Sequence, residues 1–403
     1  MSQPALRADG MTRPALLRGM AWDHPRARHP LEAVSAEWSK VSGNRVLWDA
    51  RPLKDFEDQP LGELAGAYDI VLMDYPFTAT AATSGLIVPV DDWVQPDYLR
   101  DQAEHAVGPS YDSYAWDGRQ WALAIDAAAQ VSAVRPDLLE ACGLQQQPQS
   151  WNDTAGLARE RSSARAKVAI PLNPNHAYCA FLSVGLAAMG PAFWRKGQSV
   201  ERNAALAALE FLKALAPDLH PLSRDADPIA ISDRMADTDE ILFVPLMFGY
   251  SNYSRPGFRR TTLRFGEAPC GASGRIGSVL GGVGIALSAQ SERRDAAADL
   301  ARMLASGEIQ SGLYVQSDGQ PGHGAAWDSV AANRLVDDFF FATRETMNQA
   351  FLRPRVTGHR RFQQGAGLLI HRCIWGGDLG AAECLAGFDS LVDELLGRWE
   401  TAA

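Results

Sequence analysis

From residue 15 onward, short apolar runs alternate with stretches of helical period. Residues 16–21 read as a strand, 30–42 as a helix with Leu31, Val34 and Trp38 on one face, and 44–48 as the next strand. Residues 68–74 form a buried strand that ends in the polar-aromatic turn Asp74-Tyr75-Pro76. This β-α-β-(α)-β order predicts a doubly wound parallel sheet. Parallel strands end on the same side, so Trp22, Asp23, Asp74 and Tyr75 are expected along one edge.

The alternation continues. A short strand over 85–90 is followed by the hairpin signal Asp117-Gly118 between two aromatic stretches. Residues 125–131 lead into a second body of structure. There a helix over 136–142 comes first, and then Ser150 opens a helix that ends near 165. A strand over 167–172 stops at Asn173-Pro174-Asn175. Helices over 178–189 and 203–216 precede a strand over 240–247, which spills into Phe248-Gly249-Tyr250-Ser251-Asn252. The strand over 278–287 opens on Gly281-Gly282, and an alanine-rich helix covers 293–306. The last helices are expected over 330–348, 363–375 and 379–399.

Composition narrows the classes. At 403 residues the chain suggests about two domains. With 46% hydrophobic and 21% charged residues it has the balance of an ordinary soluble protein. A net charge of −10 argues against a nucleic-acid partner, because phosphates need a basic face. The five cysteines are scattered without C-x-x-C spacing, which suits buried thiols. No run reaches the roughly 18 uninterrupted apolar residues of a membrane span. The start of the chain carries Arg7, Arg13 and Arg18 and no apolar core, so no secretory leader is read there.

Candidate chemistry concentrates in Trp22-Asp23-His24-Pro25-Arg26, an aromatic, a carboxylate, an imidazole and a guanidinium within five residues at a strand end. Proline after the histidine is read as stopping both ladder and helix, which leaves a polar loop. Catalysis is not favoured: G-x-S-x-G and H-E-x-x-H are absent, and the histidines show no i, i+4 metal spacing with a carboxylate. Gly281-Gly282-Val283-Gly284 fails as a dinucleotide motif, because the glycines open a strand instead of joining a strand to a helix. They are read as letting backbone pass close to a ligand or a hinge. Trp22, Tyr75, Tyr250 and Tyr253 sit at strand ends beside short polar residues, a pairing that suits polyhydroxylated ligands.

The order of segments resembles the extracellular solute-binding proteins of ABC importers, family 1, the maltose-binding-like carbohydrate group, from about Leu16 on. The carriers are the first strand with its polar-aromatic end, Asp69-Ile70-Val71 with Asp74, Gly85-Leu86-Ile87-Val88-Pro89-Val90, and Trp121-Ala122-Leu123-Ala124-Ile125-Asp126. Pro148 to Asn152, Gly281-Gly282 and Gly319-Gln320-Pro321 complete the set. The resemblance implies an α/β, two-lobe periplasmic-binding-protein-like fold of type II, with a ligand cleft between lobes joined by crossover hinge strands. One lobe would take 15–124 plus 278–324, the other 126–275 plus 330–403.

Such a fold implies hinge closure around a small polar solute and delivery to a membrane permease, without catalysis, cofactor or metal and as a monomer. Strand-end residues would bind the ligand: Trp22, Asp23, His24, Asp74, Tyr75, Asp126, Asn173, Asn175, Tyr250, Asn252, Gly281, Gly282 and Arg353. His24 and Arg26 would suit a sugar acid, and Arg353 could meet an acidic group. Replacing Trp22 by alanine is expected to weaken binding and leave the fold intact. The resemblance implies the periplasm, whereas the missing leader implies the cytoplasm. The alternative is a cytoplasmic enzyme using His24 or Asp126, or a ligand-sensing module, on the same scaffold.

Overall fold

The computed structural model describes residues 14–52, 61–195 and 197–396. The opening segment read above for a leader, and the end of the last expected helix, lie outside these residues. Eleven strands are described: β1 (Leu16–Trp22), β2 (Arg45–Arg51), β3 (Ile70–Asp74), β4 (Ile87–Val88), β5 (Ala115–Trp116), β6 (Arg119–Gln120), β7 (Leu123–Val134), β8 (Lys167–Val168), β9 (Ile241–Phe248), β10 (Arg264–Gly266) and β11 (Leu280–Ser288). Nine form one sheet along the path β2-β1-β3-β11-β7-β9-β8, with β10 on β7 and β4 on β11.

The sheet is parallel only in part. β1 runs parallel to β2 and β3, and β8 to β9, but β11 is antiparallel to β3 and to β7, and β7 to β9. The reason lies in the two long strands at the centre. β7 pairs with β11 from Leu123 to Ala129 and with β9 from Gln130 onward, so it carries the chain from one half of the sheet to the other. Gly282, at φ 123°, lies on the β11 side of this crossing. A side chain there would sit 2.4 Å from the Asp126 carbonyl, so only glycine lets the two strands touch. What passes close to the glycines is the hinge itself.

Two apolar clusters flank the crossing. In the first, Leu31, Val34 and Trp38 of helix α1 (Pro25–Ser42) share one apolar cluster with residues of β1, β3 and β11. The second is built around the helix Pro174–Met189 and the helices His359–Trp375 and Ala381–Leu391. Edge-on aromatic contacts among Phe181, Phe193, Phe362 and Phe388 fill it. Residues 174–193 form an apolar run of 20 residues, long enough by composition to span a bilayer. Of its most apolar window, 72% is buried inside the protein.

Several boundaries depart from the pattern-based reading. α1 starts at Pro25, five residues early, because His24 caps it: Nδ1 accepts from the Arg26 amide at 3.1 Å, and Pro25 takes the first helical position. The proline therefore opens a helix instead of blocking one. Likewise Asn173 caps the helix expected from 178, with Oδ1 accepting from the His176 amide at 3.1 Å. The helix expected over 330–348 is three short pieces, broken where Asp337 and Asp338 adopt positive φ. The hairpin at Asp117-Gly118 forms as expected, both residues having positive φ between β5 and β6.

Candidate functional site: the interlobe cleft

A cleft of about 1170 Å³ opens at the strand crossing. Its lining includes Trp22 at the end of β1, Asp74 at the end of β3, Asp126 of β7, and Gly281 and Gly282 of β11. Other elements contribute Asn173, Asn175 and His176 from the start of the Pro174–Met189 helix, and Phe248 and Tyr250 from the end of β9. Arg353, Gln363 and Gln364 come from the C-terminal part. Nine of the thirteen expected contact residues line this one cavity: Trp22, Asp74, Asp126, Asn173, Asn175, Tyr250, Gly281, Gly282 and Arg353.

The other four do not line it. Asp23 points to solvent and pairs with Arg28 at 3.1 Å. His24 is buried as the α1 cap with its ring edge-on to Tyr250 at 5.0 Å, and burial beside Arg26 lowers its pKa to about 3. Tyr75 is buried behind the wall, where its hydroxyl accepts from the Arg353 amide at 3.1 Å and from Nε at 2.9 Å. Asn252 is fully buried and donates to the Asp318 carbonyl at 3.2 Å. In each case the architecture claims the polar atoms first.

Arg26, which the sequence offered as a partner for an acidic ligand, is already committed. Its Nε and Nη2 reach Asp126 at 2.7 and 2.5 Å, and Nη1 donates to the Gly249 carbonyl at 2.9 Å. The guanidinium also lies 4.5 Å from the centre of the Tyr250 ring. Burial pushes the Asp126 carboxyl up and Arg26 pulls it back, so each charge depends on the other. The pair ties α1 to the hinge strand and to the turn after β9.

Arg353 is held differently. Its Nε rests on Tyr75, Nη1 donates to Gln363 Oε1 at 2.8 Å, and Nη2 to the Leu280 carbonyl at 3.3 Å. Gln363 is the knot of this wall. Its oxygen also meets His359 Nε2 at 3.2 Å, and its amide donates to Asn175 Oδ1. Asn173 Oδ1 takes both the His176 amide and Nδ1, so Nδ1 carries the proton and Nε2 is left as an acceptor. Burial lowers His176 to about 4 and His359 to about 3, which keeps both rings neutral at physiological pH.

Gln363, His176 and Phe248 went unmarked in the sequence. Phe248 stood beside Tyr250 at the same strand end and was within reach. Gln363 was not, because its helix begins at His359, behind Gly358 at φ 98°.

Away from the cleft, Asp101 and His105 do stand at i, i+4, at the end of the helix Pro96–Glu104, contrary to the sequence reading. With His323 their ligand atoms fall within 4.8 Å of one another. His323 Nδ1 accepts from the Ala325 amide at 3.2 Å, which puts the ring proton on Nε2, 3.5 Å from Asp101 Oδ2. The His105 and His323 rings stack with centroids 5.2 Å apart.

Comparison with known proteins agrees with this architecture. Residues 56–194 match the family described as bacterial extracellular solute-binding protein. The whole fold is similar to the maltose-bound MalE3 of T. maritima, with TM-score 0.82 at 16% identity over 94% of this chain and 100% of that one. It is also similar to an ABC transporter solute-binding protein of Agrobacterium radiobacter K84 in complex with ribitol, with TM-score 0.79 at 19% identity over 94% and 98%. A solute-binding protein of Thermotoga lettingae TMO bound with α-D-tagatose gives TM-score 0.79 at 16% identity over 95% and 99%. No curated protein sequence matches the chain. The fold is that of a two-lobe periplasmic binding protein. Over residues 56–194 the chain is similar to the bacterial extracellular solute-binding protein family, and over its whole length the fold is similar to that of the maltose-bound MalE3.

Proposed function

We propose that the protein is the solute-binding component of an ABC importer, closing its lobes around one small polyhydroxylated ligand, a sugar, a polyol or a sugar acid. The observation that carries this reading is the wall chemistry of the cleft. Flat aromatic faces (Trp22, Phe248, Tyr250) stand beside short polar groups (Asp74, Asn173, Asn175), as the C–H faces and hydroxyls of such ligands require. The cleft is as large as the upper range of small-molecule sites, roughly 300–1,000 Å³.

Closure needs a ligand that touches both walls, since only differential contact shifts an equilibrium between open and closed forms. In this reading residues 15–124 with 278–324 form one lobe and 126–275 with 330–403 the other. The protein works as a periplasmic monomer that docks on a membrane permease. Similar proteins bound to maltose, ribitol and tagatose support the ligand class. The two residues named for an enzymatic role are committed within the fold, His24 as a neutral helix cap and Asp126 on Arg26.

A thermal-shift screen over sugars, alditols and sugar acids, followed by calorimetry, tests the proposal. Stoichiometric binding with the compound recovered unchanged is expected. Turnover of a bound compound, or no stabilisation by any member of the three classes, refutes it.

A further inference from the structure

The cleft contains one carboxylate, Asp74, that no described residue satisfies. Asp74 ends β3 opposite Val283 of β11 and lines the cavity. Its side chain makes no capping contact, and among the described residues no hydrogen bond or ion pair reaches it. The neighbouring charges are Arg353 and Asp126. Arg353 cannot swing over to Asp74, because Tyr75, Gln363 and the Leu280 carbonyl hold its three nitrogens. A carboxylate and a guanidinium thus share one wall without touching.

We propose, on the basis of the transport reading above, that Asp74 makes this cleft selective for electroneutral hydroxylated ligands and excludes sugar acids. A ligand hydroxyl serves both groups at once. It donates to the Asp74 carboxylate and accepts from an N–H that Arg353 has to spare, since a guanidinium carries five. An acidic ligand brings a second negative charge beside Asp74, and like charges repel.

Among the described residues, no cation other than Arg353 acts on Asp74. Arg26 is neutralised by Asp126 and Gly249. Arg355 is turned to the carbonyls of Asp112 and Ala115. Arg360 and Arg361 line the same cavity, but among the described residues the only charges that act on Asp74 are Arg353 and Asp126. The remaining titratable groups close to Asp74 are Tyr75 and Tyr114, whose hydroxyls burial keeps protonated, and the neutral His176 farther along the lining. The sequence had left a sugar acid open, because His24 and Arg26 were counted without the cap and the Asp126 pair that occupy them.

The test is titration calorimetry and thermal shift on the full chain with matched sets that differ only in charge. The first set is glucose, glucitol, gluconate and glucuronate; others are the mannose series and maltose with maltitol and maltobionate. Within any set that binds, the neutral members are expected to bind at least tenfold tighter than the acids. Burial pushes the Asp74 carboxyl up to about 6, and only its ionised form accepts two donors. Affinity for a neutral ligand should therefore hold above about pH 6 and fall about tenfold by pH 5.

The variant Asp74→Asn should lose at least tenfold for the neutral ligand, flatten this pH profile and bind the acid as well as or better than wild type. Its unliganded Tm should not fall, which separates lost recognition from lost folding. Acids binding as tightly as their neutral counterparts, affinity rising as pH falls, or a folded Asp74→Asn variant with unchanged affinity would each overturn the inference. A panel in which neither kind binds overturns the transport reading itself, so the two failures are told apart.

Discussion

The segment Trp22–Arg26 and the segment Val356–Gln364 invert what their sequences suggest. The first is dense in charge and aromatics and looks like a binding loop. The second reads as an ordinary approach to a helix. In the folded protein only Trp22 and Arg26 of the first segment line the cleft, and Arg26 is spent on Asp126. Eight of the nine residues in the second line it, all but Phe362. Charge density in sequence thus marked structural need: a helix start and a hinge both require polar atoms in a buried place. The second segment lines the cleft instead.

This contrast can be broken from either side. The largest effect is expected from Asp126→Ala, which leaves Arg26 buried without its counter-charge and should cost about 3–5 kcal/mol in urea unfolding. Asp126→Ala retaining wild-type stability would mean that Arg26 is not structurally committed. Trp22→Ala comes next. Trp22 is 4% exposed and part of the first apolar cluster as well as the cleft. Its removal should therefore lower stability by about 3 kcal/mol together with affinity, not affinity alone as its sequence position suggested. Calorimetry paired with chemical unfolding separates the two losses.

On the other side, Gln363→Ala unties Arg353, His359 and Asn175 together. A loss of about 1–3 kcal/mol in stability is expected, with roughly tenfold weaker binding of whichever neutral sugar or alditol the screen identifies. Full affinity in this variant would show that the second wall does not need its knot. The smallest effect belongs to Asp23→Ala. Its solvent-exposed pair with Arg28 should contribute under about 0.5 kcal/mol. Ligand affinity should not move, and a measurable drop would return Asp23 to the site.

Much of the fold was legible. The strands β1, β3, β9 and β11 were visible as apolar runs, because a buried strand must be apolar on both faces, whereas β7 was read only as the passage into the second body. Strand-end residues were marked as the binding edge, and nine of them do converge on one cavity. What was misread shares one cause. His24, Tyr75 and Asn252 are polar residues at strand ends like Asp74 and Asn173, and nothing local separates those that face the cleft from those that cap, anchor or brace the wall. Their partners lie far along the chain: Arg353 is 278 residues from Tyr75, and Asp126 is 100 from Arg26.

The chain's own pattern of apolar and polar positions determined the α/β alternation, the position of the hairpin and the edge on which ligand groups gather. Local sterics and periodicity carry that information within a dozen residues. Tertiary structure alone decided the mixed direction of the central strands, the ownership of each charged side chain and the isolation of Asp74. Those depend on which distant group claims a buried polar atom first, and desolvation makes every such claim exclusive.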